Sequence, residues 1–299
     1  MEIKEFATKM CHALELELGE EHEVILRQVI KNNGVMLTGI MISDKTRNVM
    51  PTIYLDHFWR EYERGMPLSM VAEKVLRLYH REKPCGDVDM TFFTDYEQVK
   101  DRICYRLIGR EQNGELLEEI PYIEFFDLAI CFYYAYEGEA LGEGSILIHK
   151  RHMETWQVTV SDLFGQATVN TPRLLPWECQ KMDIILEDME EVMEGSEWNP
   201  LLQDIPMRVL SNHKRVHGAS CILYPSVLHQ LAIEQGGNYY ILPSSIHEVI
   251  LLKDGGAEDE ERLKWMIKQV NQEIVDAEEI LSDSLYYYDF GQKTLKRIS

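Results

Sequence analysis

Val24-Ile25-Leu26-Arg27-Gln28-Val29-Ile30, then Asn32-Asn33-Gly34, then Val35-Met36-Leu37-Thr38-Gly39-Ile40-Met41-Ile42 is the stretch whose reading decides the fold. Two β-type runs flank an Asn-Gly pair, and Asn-Gly tolerates the positive φ values that a tight hairpin turn needs. A third extended segment ends near Pro51-Thr52-Ile53-Tyr54. Helical periodicity lies on both sides. Residues 3–18 place Phe6, Met10, Ala13, Leu14 and Leu18 on one side, with Gly19 as a stop. Leu55, Phe58, Trp59 and Tyr62 share a face that ends at Gly65. Pro67 then suits the first turn of a helix striped by Leu68, Val71, Ala72, Val75, Leu76 and Tyr79. Lys83-Pro84-Cys85-Gly86 breaks that pattern.

Further along, Asp95 to Arg102 reads as a short helix leading into the strand Ile103-Cys104-Tyr105-Arg106-Leu107-Ile108. Asn113-Gly114 marks a turn before the apolar segment 127–136. Ser145 to His149 is the expected strand partner of that segment, across a Gly- and Glu-rich turn. Thr159 or Ser161 caps a helix carrying Leu163, Phe164 and Ala167, which Pro172 is expected to stop. Residues 180–194 read as an acidic amphipathic helix. Met207 to Leu210 and Ala219 to Tyr224 follow, and Pro225 opens a helix through Val227, Leu228, Leu231 and Ala232. Gly236-Gly237 closes it, and Tyr239 to Leu242 resumes β character. Glu258 to Ser282 is expected to be the longest helix, followed by a terminal hairpin of Leu285 to Asp289 with Thr294 to Ile298. Hairpins alternating with helices predict an α+β protein, with mixed or mainly antiparallel sheets built from hairpins and packed amphipathic helices. Two regions are expected, 1–120 and 121–299, the second containing the long helix near 258–282.

Thirty basic against fifty-one acidic residues give a formal net charge of −21, and 45% of the 299 residues are hydrophobic. That balance predicts a folded, soluble chain that repels polyphosphates, so non-specific nucleic-acid binding is not expected. Six cysteines without a CxxC pair are too sparse for a disulfide scaffold. The start, MEIKEFATKMCHALELELG, lacks the apolar core of a signal peptide. No segment approaches the roughly 20 apolar residues of a membrane span. The expected compartment is the cytoplasm.

The best site candidate is Leu242-Pro243-Ser244-Ser245-Ile246-His247-Glu248-Val249-Ile250. A serine hydroxyl becomes a nucleophile when an imidazole takes its proton and a carboxylate orients that imidazole. On a strand, Ser245 and His247 share a face while Glu248 points away. On a helix, Ser245 and Glu248 form an ordinary capping box. Capping or turn duty is therefore the first reading, ahead of ligand contact and of catalysis with Glu124 or Asp127 as a distant acid. The second candidate is Ser211-Asn212-His213-Lys214-Arg215-Val216-His217-Gly218, the most basic stretch of an acidic chain. It suits a phosphate or an acidic partner, against the plainer reading of a solvated turn. Lys214-Arg215 between His213 and His217 disfavours a metal cation, and the His149 and His152 pair lacks a ligand set around it. No metal and no cofactor is expected. Gly138 to Gly144 lacks the Lys-Ser or Lys-Thr ending of a phosphate loop. Asn170 is expected to close its helix.

Asp127-Leu128-Ala129, Ala167 to Thr171, Asn212 with His217-Gly218-Ala219, Leu223-Tyr224-Pro225 and Ile241 to Val249 resemble a family of uncharacterised proteins of about this length from anaerobic Firmicutes. The resemblance spans nearly the whole chain, and its last piece is also similar to a related bacillar family. It implies no activity, and it singles out Asn212, Ser244, Ser245, His247 and Glu248. The functional expectation is a cytoplasmic protein-binding or regulatory module offering the 212–218 loop to an acidic partner. The alternatives are a hydrolase or small-ligand enzyme using Ser244 or Ser245 with His247, and a structural, self-associating component.

Overall fold

The computed structural model describes residues 2–19, 21–43, 50–83, 89–138, 142–182, 207–243, 245–256 and 259–298. They form an α+β protein of antiparallel sheets and packed helices, divided into two compact units. The first unit comprises Met1–Thr94 and Ala135–Ser145; the second comprises Asp95–Tyr134 and Ile146–Ser299. Residue 120, the boundary expected from the sequence, lies inside the second.

In the first unit, helix α1 (Ile3–Leu18) precedes β1 (Glu23–Ile30), β2 (Met36–Ser43) and β3 (Thr52–Tyr54). Helices α2 (Asp56–Glu63) and α3 (Leu68–Glu82) follow. The β1–β2 hairpin pairs Glu23 with Ser43 through to Ile30 with Met36, and β3 pairs with β2. Its loop closes through the Lys31 amide donating to the Val35 carbonyl at 2.7 Å. Asn33 (φ 60°) and Gly34 (φ 68°) take the left-handed conformations for which this pair is suited. Phe6, Met10 and Leu14 of α1, Ile40 and Ile42 of β2, and Val71, Val75 and Tyr79 of α3 bury one shared core. The sequence stripes point to these same side chains.

The second unit begins with the short helix α4 (Tyr96–Val99) and strand β4 (Ile103–Gly109). Helix α5 (Gly114–Glu119), strand β5 (Tyr122–Phe125) and strand β6 (Leu128–Gly138) follow. β6 leaves this unit after Tyr134, and β7 (Gly142–Leu147) pairs with it. Next come helices α6 (Lys150–Trp156) and α7 (Val160–Leu174), then β8 (Trp177–Lys181), β9 (Met207–Asn212) and α8 (Val227–Gln235). β10 (Tyr239–Leu242), β11 (Val249–Lys253), α9 (Glu260–Glu273), β12 (Leu285–Asp289) and β13 (Thr294–Ile298) complete it. Six strands form one antiparallel sheet in the order β13-β12-β10-β11-β9-β8, and β4-β6-β5 lie in another. In the β4–β6 register Cys104 faces Tyr133 and Arg106 faces Cys131, which places these four side chains on one face.

Several elements differ from the sequence expectation. α9 stops at Glu273, short of the expected Ser282, and leaves Ile274 71% exposed. Asn271 Nδ2 donates to the Ser282 carbonyl at 3.0 Å and to Asp283 Oδ1 at 2.8 Å, folding the chain back beside the helix. A helix continued to Ser282 is incompatible with that return. α1, at 16 residues, is longer than α9 at 14.

Pro172 does not stop α7, which runs on to Leu174. It sits in the last turn, where its missing N–H removes a single helical bond. Side chains of the same turn hold β4 instead. Asn170 Nδ2 donates to Ile103 and Lys100 carbonyls at 3.0 and 2.7 Å, and the Tyr105 amide donates to Thr171 Oγ1 at 3.1 Å. Residues 218–223 form a buried 3₁₀ turn rather than a strand. Asn113-Gly114 opens α5, and α6 was not foreseen. Of the expected 180–194 helix, Gln180 and Lys181 belong to β8, and residues 183–194 lie outside the described residues.

Candidate functional site

The two segments chosen from the sequence, 211–218 and 245–248, meet in the second unit although some 30 residues separate them. Asn212, at the end of β9 and fully buried, organises the first. Its Nδ2 donates to the Val216 carbonyl at 2.8 Å, and its Oδ1 accepts from the amides of Lys214 (3.1 Å) and Val216 (3.4 Å). An amide side chain can do this because it carries both donor and acceptor at one point. The loop turns through left-handed Arg215 (φ 51°) and His217 (φ 54°), leaving His213, Lys214, Arg215 and Val216 exposed. Arg215 reaches back to β8, with Nη2 3.2 Å from Gln180 Oε1 and Nε 3.8 Å from Glu178.

Gly218 is where the segments touch most closely. A Cβ there would collide with Ser211 Oγ and the His247 carbonyl, and would lie 2.9 Å from the Asn212 amide nitrogen. The absence of that atom lets Ser211 Oγ donate to the His247 carbonyl at 2.7 Å and the Ala219 amide to the Ile246 carbonyl at 3.3 Å. The imidazoles of His217 and His247 stack, with centroids 5.8 Å apart and planes 10° from parallel.

His247 has both ring nitrogens directed at protein groups. Nδ1 accepts from the His217 backbone amide at 3.2 Å, and Nε2 lies 3.5 Å from Glu279 Oε1. A ring whose Nδ1 accepts carries its neutral-state proton on Nε2, which faces the carboxylate. Ser245 Oγ accepts from the His247 amide at 3.0 Å, a local serine turn, and the Ser245 amide donates to the Glu248 carbonyl at 3.2 Å. The Glu248 carboxyl is shifted upward by burial, opposed by the nearby Arg215 and His247. Ser244 lies outside the described residues.

His217 also meets strand β6 of the second unit. Its ring packs edge-on against Tyr133 of β6, with centroids 5.4 Å apart, and its Nδ1 is buried without a hydrogen-bond partner. Burial, with smaller contributions from the Arg106 and His247 charges, depresses its pKa to about 3. Arg106 Nε is likewise buried and unpartnered. The sequence signal for Arg106 is its place as the lone cation of the apolar run 103–108.

Other candidates stand apart from this cluster. Asp127 accepts from Ser282 Oγ (2.6 Å), Ser284 Oγ (2.9 Å) and Tyr286 OH (2.6 Å), tying β6 to β12. Burial pushes its carboxyl up, but these hydrogen bonds outweigh it and hold the pKa below the ordinary value. Glu124 pairs with Arg110 at 2.7 Å. The His149 amide donates to His152 Nδ1 at 3.0 Å, a helix-start contact. Among the described residues no three His, Cys, Asp or Glu side chains are grouped to hold a metal ion. A shallow groove of about 510 Å³, lined by Ile120, Pro121, Tyr122, Lys150, Met153 and Val158 among others, includes none of the sequence candidates. Among the described residues no helix is long and apolar enough to cross a membrane.

The model described as "Family of unknown function (DUF5688)" matches residues 3–290. The chain belongs to that family. The match spans both units, so the convergence of the 211–218 and 245–248 segments lies wholly within the DUF5688 region. No curated protein and no solved structure matches the chain.

Proposed function

We propose that this DUF5688 protein is a cytoplasmic binding module that docks an acidic protein partner on its 212–217 loop. The observation that carries this reading is the fixed loop itself. Asn212 spends its side-chain hydrogen bonds inside the loop, while four consecutive side chains, His213 to Val216, face solvent. A loop held in one conformation before contact loses little entropy on binding. Lys214-Arg215 is a basic doublet in a chain of net charge −21, so an acidic surface is favoured here and repelled elsewhere. The hydrolase alternative has less support. Ser245 Oγ is engaged by a backbone amide, and both ring nitrogens of His247 face other groups.

The test is a titration with Glu-rich peptides against neutral peptides of equal length, at two salt concentrations. Salt-sensitive binding of the Glu-rich peptides by the wild type, abolished in the H213E/K214E variant, is expected. Equal binding by wild type and variant, or none by either, contradicts the reading.

A further inference from the structure

The geometry points to a carboxylate-binding site between Arg106 and His217, beside the ring of Tyr133. This goes beyond the docking role of the loop and uses different side chains. Arg106 is surrounded by protein, though part of its surface remains accessible. Its Nε is buried without a partner, and none of the described residues pairs a carboxylate with its guanidinium. The titratable groups that act on it, Cys131 and Tyr133, are kept protonated and uncharged by burial, so neither supplies a counter-charge.

A buried lysine or histidine escapes such a position by losing its proton, and arginine does not. A cation that stays charged in a desolvated place is costly unless an anion joins it. Close by, His217 Nδ1 is a second buried polar atom without a partner. Tyr133 connects the two. It packs against the His217 ring and sits on the same sheet face as Arg106, diagonal to it across the β4–β6 pair.

The charges select the ligand class. His217 is neutral at physiological pH, so the site holds one positive charge and balances one negative charge. A planar carboxylate matches the guanidinium fork, and the second oxygen can accept from His217 Nδ1–H in the appropriate tautomer. A phosphate dianion brings an excess charge into the same desolvated space.

The experiment titrates the full chain, ¹⁵N-labelled, with acetate, with inorganic phosphate and with sodium chloride at matched ionic strength. The Arg106 Nε–H and His217 imidazole resonances are followed. Saturable shifts of both signals with acetate, weaker with phosphate and absent with chloride, are expected. The R106K variant should bind acetate roughly tenfold or more weakly, the loss of a bidentate contact. R106M should lose the His217 response and unfold at higher denaturant than the wild type, because an unpaired charge is gone. The H213E/K214E variant should keep the response, which separates this site from the loop. Shifts that merely follow ionic strength, tighter binding of phosphate, or an undiminished His217 response in R106K overturn the assignment.

Discussion

Gly218 shows how much one missing atom can decide. The Ser211 hydroxyl and the His247 carbonyl occupy the space of its Cβ, and both are held by hydrogen bonding, so neither can yield without breaking the contact between segments. Gly218→Ala should therefore cost about 2–4 kcal/mol, the range for overpacking together with a lost buried hydrogen bond. A chemical-denaturation midpoint within error of the wild type would contradict the close approach. His217 supplies a pH signature. Its native pKa of about 3 lies below the ordinary 6.5, so the native state resists a proton that the unfolded chain accepts. The stability this group contributes is complete above about pH 6.5 and is lost as pH falls toward 3. Relative to H217Q, the wild type should lose up to about 1.4 kcal/mol more per pH unit in that window. Parallel pH profiles for the two proteins would show that His217 is not held neutral.

Among the elements, one carboxylate just before β6 accepts three hydrogen bonds from β12 and the residues leading into it. Asp127 is the acceptor for Ser282, Ser284 and Tyr286, and removing it strands three donors, two of them on residues otherwise buried. Asp127→Ala should destabilise by roughly 3 kcal/mol or more, and Ser284→Ala by about 1 kcal/mol. Thermal or urea unfolding reads both, and equal costs for the two variants would argue that the carboxylate is not the shared anchor. Elements of this kind explain what could be read in advance. The β1–β2 hairpin was legible because Asn33-Gly34 and the flanking aliphatic runs are local signals. The end of α9 was not, because it depends on Asn271 gripping Ser282 and Asp283 eleven and twelve residues on. Pro172 misled for a related reason. The turn that contains it is retained by Asn170 and Thr171 binding β4, a partner some 70 residues earlier.

For the whole molecule, a net charge of −21 means self-repulsion in the folded state, which ions relieve. The urea midpoint should rise when sodium chloride is increased from low to moderate concentration, and a fall would indicate that attractive ion pairs dominate. The candidate site was half legible at this scale. Asn212, His217, Ser245 and His247 stand out as polar residues in short segments, and the fold joins those segments. Arg106, Tyr133 and Glu279 join them only through strand pairing and loop return, which no local pattern encodes.

The 211–218 and 245–248 segments form one hydrogen-bonded unit in which His247 Nδ1 accepts the His217 amide. Long-range ¹H–¹⁵N correlation of the histidine side chains, in ¹⁵N-histidine-labelled protein at mildly alkaline pH, tests this most directly. An unprotonated Nδ1 and a protonated Nε2 on His247 are expected, with the His217 amide protected from exchange. A proton on His247 Nδ1, with a freely exchanging His217 amide, would contradict this arrangement.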